Sequence, residues 1–413
     1  MTSQPKRHRT LPALAAIAIL ATGCTNDVSG TAGRAAPAVP SGAVDPAALD
    51  PGNYPTRPRP PMGTAGTPDA GALIDAQNMA EFVTGPWEVS PTLIKAAPFG
   101  FGPGAMPLRD VAALNPAIGV DGLGAAAGTH HFINGYATAR DDTDHPVRLV
   151  NAVLRFATPA DAAAAATDMS NTVMANPGAA AGTPTPMTSQ PIPGHPDAVA
   201  ITRTITDPTG GWSRTHLDSF TPHGPYVLLQ YVKVTTNLAD ATALVTKTLD
   251  LQGPAIDRFP ATDPAQLAAL PRDPTGMLAK TLPAQGDQGN VNNNATFGPH
   301  GELNYQTNPI TSAKLFADTG VDVVAHGLST VIRARDAAAA ATIAAAAATE
   351  VQATGTPADP VPHMPDSRCI KVPGNNIYWC AATADRYEIE LFAAQLRDAH
   401  QQMAAQYLML TAK

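Results

Sequence analysis

From about residue 129 onward, the alternation of apolar and polar positions divides the chain into two passages with the same order of elements. The first has strand patterns at 129–140 and 147–157. Thr158-Pro159-Ala160-Asp161 then opens an alanine-rich helix, with Thr158 as cap and Asp161 reaching back three residues later. Asn176-Pro177-Gly178 ends that helix, and a Pro-rich loop runs to Pro196. Three strands are predicted next, at 198–206, 212–220 and 226–235, parted by DPTGG and TPHGP turns. Asn237 caps a helix with Leu238, Thr242, Val245 and Leu249 on one face, closed by Gly253-Pro254.

The second passage repeats the plan. Strands at 321–325 and 328–334 lead to an alanine helix from Asp336, then strands at 368–372, 377–382 and 386–393. A last helix carries Leu396, Ala399, Met403, Tyr407 and Leu410 on one face. DAAAAAT occurs at 161–167 and again at 336–342, but the shared order of elements is the stronger sign of duplication. The expected fold is therefore α+β, with two similar antiparallel-sheet-plus-helix modules at 129–254 and 309–413. Residues 69–128 read as an N-terminal helical arm, with a Gly- and Ala-rich loop from 115 to 128. Residues 255–308 hold one short capped helix and a polar stretch without periodicity, and read as a linker or long surface loop.

The first 23 residues have a different character. Lys6, Arg7 and Arg9 precede an apolar run too short to cross a bilayer, the order of a secretory signal. Ala21-Thr22-Gly23-Cys24 closes it and looks like a lipobox, although Leu20 stands four places before the cysteine rather than three. Residues 1–23 are thus expected to be removed and Cys24 acylated, tying the protein to the membrane. Two or more acyl chains give stable attachment where one is marginal. The Pro-, Gly-, Ala- and Thr-rich stretch 24–68 reads as an extended tether.

Loss of residues 1–23 takes three basic residues and no acidic one, moving the net charge from −8 to −11. An acidic chain with no basic cluster after Arg59 is a poor partner for nucleic acid or anionic headgroups. The other two cysteines, Cys369 and Cys380, flank the turn that starts Val372-Pro373-Gly374-Asn375, and a disulfide is the expectation in an exported chain.

Motifs for chemistry are sparse. His130 and His131 are adjacent and on a strand would face opposite ways, while His216 and His223 lack an acidic partner at ligand spacing. Asp141, Asp142 and Asp144 form an acidic run without the rest of a calcium loop. No catalytic residue, metal site or cofactor is expected. Trp212 and Trp379 fall in the middle strand of each three-strand run, and Tyr226 and Tyr387 begin the next. In a chain only 5% aromatic this recurrence matters. It reads either as two core anchors or as equivalent pockets for an apolar ligand.

LDPGNYPTRPRPP, IDAQNMAEFVTGPWEV, PRDPTGMLAKTLP and ADRYEIELFAAQLRDAHQQMAAQYLML together resemble an uncharacterised family of actinobacterial cell-envelope lipoproteins. VSGTAG after Cys24 is similar to mycobacterial lipoprotein starts. The element order is also similar to extracytoplasmic sensor domains of mycobacterial receptor kinases, which usually carry two disulfides. The resemblance implies an anchored, extracytoplasmic location and no known activity. The expected function is non-enzymatic binding of a small or lipidic ligand, or of an envelope protein. The alternatives are an envelope hydrolase with an unrecognised Ser/His/Asp set and a passive scaffold.

Overall fold

Thr67 caps the first long helix, α1 (Pro68–Met79), by accepting from the Ala70 amide, and Pro68 sits in its first turn where no amide is needed. The computed structural model of the protein describes residues 44–97, 104–115, 120–176, 183–284, 291–374 and 376–412. The signal stretch, Cys24, the tether as far as residue 43, and Asn375 of the expected disulfide turn lie outside them.

The first sheet has nine antiparallel strands: β1 (Lys95–Ala96), β2 (Ala105–Leu108), β3 (Phe132–Asp141), β4 (Arg148–Phe156), β5 (Thr183–Pro184), β6 (Thr188–Ser189), β7 (Val199–Thr206), β8 (Ser213–His223) and β9 (Tyr226–Val234). Their order is β1-β3-β4-β9-β8-β7-β5, with β2 also on β3 and β6 also on β7. Helices α2 (Pro159–Ala175) and α3 (Leu238–Ile256) start where Thr158 and Asn237 cap them. Side chains alternate across a strand, so each sheet face has its own helix. Ala162, Ala165 and Met169 of α2 pack with Ala152, Leu154, Phe220 and Leu229. Ala241, Val245 and Leu249 of α3 pack with Val153, Leu217, Leu228 and Val232.

The second sheet comprises β10 (Ala295–Phe297), β11 (Val323–His326), β12 (Ser329–Arg333), β13 (Thr356–Ala358), β14 (Arg368–Val372), β15 (Ile377–Ala384) and β16 (Tyr387–Ala393). Its order is β10-β11-β12-β16-β15-β14-β13. Helix α4 (Pro309–Thr319) lies between β10 and β11, α5 (Ala337–Gln352) follows β12, and α6 (Leu396–Thr411) follows β16. The central strands and the two helices of this module repeat the arrangement of the first: a hairpin, a helix on one face, a three-strand meander and a helix on the other face. Cys369 and Cys380 are directly opposite on β14 and β15 and form the disulfide. Cys369→Ser is expected to lower the melting temperature under oxidising but not reducing conditions. The chain-entropy model gives about 3 kcal/mol for a loop of this size. An equal loss in both conditions would mean that the bridge does not form.

Several expectations need correction. The tether does not extend to residue 68. Leu49 is buried in the core of the second module, the Tyr54 hydroxyl donates to Asp398 at 2.7 Å, and Arg59 donates to the Leu278 carbonyl. A proline-rich stretch cannot build a core, but its unpaired backbone and side-chain groups are free to bond to a surface that already has one.

The described residues of 255–308, namely 255–284 and 291–308, are not a surface loop either. Phe259, Leu267, Leu278, Leu282 and Leu303 are buried, and Phe297 lies in the edge strand β10. The expected loop at 115–128 contains a helix, Leu123–Gly128, and α3 continues through Gly253-Pro254.

The arm contributes to both modules. Met79 and Val83 pack with Phe297 beside the first sheet's core, and Trp87 packs with Leu303, Phe316, Val324 and Ile332 of the second. Gly71 lets α1 approach the turn at Pro264–Ala269: a Cβ there would stand 2.0 Å from the Leu267 carbonyl oxygen.

Candidate functional site

The second sheet turns one face toward α4 and α5, and there the packing leaves a cavity of about 540 Å³. Period-two alternation along β16 puts Glu388, Glu390 and Phe392 on this face, with Trp379 of β15 beside them. Thr330 and Ile332 of β12 and His326 of β11 continue the wall. Leu315 and Phe316 of α4 and Ile343, Ala347 and Glu350 of α5 close the other side. The alanine run of α5 has a physical consequence here, since small side chains at 346 and 347 leave space between helix and sheet.

Polar groups, among them Thr311 and Ser312 of α4, share this space with the apolar wall. Glu302 is almost wholly buried, and its Oε2 lies 2.6 Å from His326 Nε2 while its Oε1 accepts from Gln306 Nε2 at 2.8 Å. Burial alone would lower the His326 pKa, but the charge and hydrogen bond of Glu302, with the charge of Glu390, leave it raised. The Tyr305 ring lies against His326 and Phe297, with centroids 5.2 and 4.8 Å away. Its hydroxyl accepts from Tyr136 of the first module at 3.2 Å and donates to Asn292. Glu390 Oε2 accepts from the Trp379 indole at 3.1 Å. Burial raises the Glu390 pKa, the indole bond opposes the shift, and Glu302 and Glu350 add to it. Phe392 is 55% exposed at the cavity rim. Such a site offers an apolar wall and carboxyl groups to a ligand; among the described residues no group of three or more His, Cys, Asp or Glu side chains could hold a metal ion.

The four aromatic residues singled out in the sequence part company in the structure. Trp379 lines the cavity and is fully buried. Trp212 precedes β8 and lies under the Arg214 guanidinium, 4.3 Å from its centroid. Tyr226 is buried in the core on the α3 side, and Tyr387 packs near Met277 and Leu278 with Lys280 over its ring.

The tyrosines do begin equivalent strands, but the tryptophans are not equivalent. His223 pairs with Tyr226 and Ala384 with Tyr387 at the hairpin ends. Five residues back from His223 is Asp218, whereas five back from Ala384 is Trp379. The acidic run at 141–144 is a turn scaffold: Asp141 binds Arg148, and Asp142 accepts from the amides of Asp144 and His145. The site residues missed in the sequence were Glu302, His326 and Glu390. Glu388 and Glu390 alternate with Ile389 and Leu391, a pattern that reads as the solvent-facing side of a strand and so hid Glu390.

Fold and cavity define a two-module α+β protein with a ligand-sized site in its second module. The chain belongs to the DUF7373 family: the N-terminal domain of unknown function DUF7373 matches residues 62–272, and its C-terminal domain matches residues 277–413. No curated protein matches the chain significantly. Among solved structures, it is similar at 14% identity to the extracellular domain of PknH from Mycobacterium tuberculosis, over 30% of this chain and 67% of that one, with a TM-score of 0.23. Among the described residues, no helix is long and apolar enough to cross a membrane.

Proposed function

We propose that the protein is an extracytoplasmic, lipid-anchored binding protein that holds a small amphiphilic ligand in the cavity of its second module. The observation that carries this reading is the meeting of an apolar wall with the Glu302 and Glu390 carboxyl groups in a space of about 540 Å³. Phe316, Ile332, Ile343 and the Trp379 ring would take an apolar body, and the carboxyl groups an amine or another hydrogen-bond donor. The signal-like start and Cys24 support the anchor, and the disulfide supports an oxidising compartment.

Titration of the protein with decylamine and with decanoate tests the reading. Decylamine is expected to bind at one site and decanoate at least tenfold more weakly. Glu390→Gln should weaken decylamine about tenfold, the size of one lost charge-assisted contact, and Phe392→Ala should weaken it by a similar factor through lost apolar burial. Equal affinity for the two probes, or a clean apo mass of the membrane-extracted protein with no binding of either, would overturn it.

A further inference from the structure

The corresponding face of the first sheet carries a different set of side chains. Strand register places Arg203 of β7, His216 of β8, Lys233 of β9, Arg148 of β4 and Asp141 of β3 opposite one another in a single transverse row. Lys95 of β1 continues it beyond Asp141. Neighbouring strands lie about 4.8 Å apart, so side chains in the row recur roughly every 5 Å. Arg214, two residues before His216, shares the face and covers the Trp212 ring.

Arg148 is neutralised by Asp141 through bonds of 2.6 and 2.8 Å. Among the described residues no carboxylate is ion-paired with Arg203, Arg214 or Lys233. The Arg203 Nε and Nη1 atoms are shut off from solvent without a hydrogen-bond partner. Asp218, fully buried beside the row, is pushed up to about 7 by burial against the pull of Arg203, so it neutralises the cations only in part. Burial and then the charges of Arg203, Lys233 and Arg214 push His216 down to about 4, which keeps it neutral against the Tyr231 hydroxyl at 3.0 Å.

Three such cations, grouped on one face of a chain of net charge −8, repel one another, and the half-burial of Arg203 and Lys233 strengthens the repulsion. The fold does not require them. Counting from the paired hairpin ends, the second module has Val372, Ile377 and Ala394 where the first has Arg203, His216 and Lys233.

The geometry points to a binding site for a small ligand bearing two or more phosphate oxyanions, laid across Arg203, Lys233 and Arg214 with Trp212 at its rim. Two arginines and a lysine at this spacing match adjoining phosphate groups, and the half-burial of Arg203 and Lys233 favours a small ligand over a flat bilayer. The site does not depend on the reading of the second-module cavity.

Calorimetric titration of the protein with inorganic pyrophosphate tests it, alongside sedimentation with vesicles of phosphatidylglycerol or phosphatidylcholine. Pyrophosphate should bind at one site, with affinity lowered about tenfold or more in Arg203→Met and in Lys233→Met. The exposed Arg397→Gln control should bind as the parent does. Retained melting temperatures in both methionine variants would show that the loss is not unfolding; Arg214→Ala, at an exposed position, gives a third reading if either fails to fold. Absence of pyrophosphate binding, equal binding in all variants, or binding of phosphatidylglycerol vesicles without binding of pyrophosphate would each overturn the proposal.

Discussion

Asp75→Ala is expected to destabilise the protein by about 3–5 kcal/mol, because it leaves a buried arginine without its counter-charge. Asp75 is 1% exposed in α1, and one oxygen accepts from both Arg155 Nη1 and Asn134 Nδ2 at 2.9 Å. The other accepts from the Thr262 amide at 3.2 Å, and Arg155 Nη2 closes the ring by donating to the Thr262 carbonyl at 2.7 Å. The network joins the arm, the central strands of the first sheet and the segment after α3. Urea unfolding should show a lower midpoint for Asp75→Ala. Asp75→Leu combined with Arg155→Met should recover much of the loss, since a buried ion pair exchanges with apolar residues at little net cost. A loss below about 1 kcal/mol in the single variant would mean that Arg155 finds water when its partner is removed.

Glu388→Met should act in the opposite direction, raising stability by about 1–3 kcal/mol at pH 8. Glu388 is fully buried between Ile332 and Thr383 as cross-strand neighbours, and neither carboxylate oxygen has a hydrogen-bond partner. Burial, reinforced by the charge of Glu390, holds its pKa well above the ordinary 4.5.

For an acid whose folded pKa is raised, the unfolded chain gives up its proton first. Stability is then full below the unfolded value and declines as pH rises through the folded one. Glu390 and Asp218 are raised as well and share this sign. His326, also raised, adds stability that is complete below 6.5 and lost as pH rises through its folded value. His216, lowered by burial, opposes them only below 6.5. The melting temperature should therefore fall between pH 6.5 and pH 8.5, and fall less in Glu388→Met. A parent whose melting temperature is flat or rises over that interval would contradict this account.

Much of the architecture is legible locally. Thr158 and Asn237 cap α2 and α3 at the positions their sequences announce, with the Asp161 and Asp240 amides as donors. The turn at 207–212 separates β7 and β8, as its DPTGG sequence announces. Short edge strands such as β10 and β13 escape notice because three residues carry no period. The equivalence assigned to Trp212 and Trp379 fails for a related reason: it matched aromatic residues, whereas hairpin register is counted from the turn. Counting back from HGPY and ADRY leads to Asp218 and Trp379 without any coordinates.

The amino-acid order by itself determined the two-module plan, the starts of α2, α3 and α5, the cysteine pairing and the isolation of Cys24. Each depends on residues close in sequence or on a single hairpin. Tertiary structure alone decided which faces of the two sheets matter. A strand shows alternate residues to opposite sides, so a register set by neighbours far along the chain gathers His326, Trp379 and Glu390 around a cavity in one module, where the short helix Pro299–Glu302 adds Glu302. The same rule lines Arg203, Lys233 and Arg148 across the sheet in the other. It is also long-range packing that brings Leu49 and Tyr54, from a stretch with no core of its own, onto the last helix some 350 residues away.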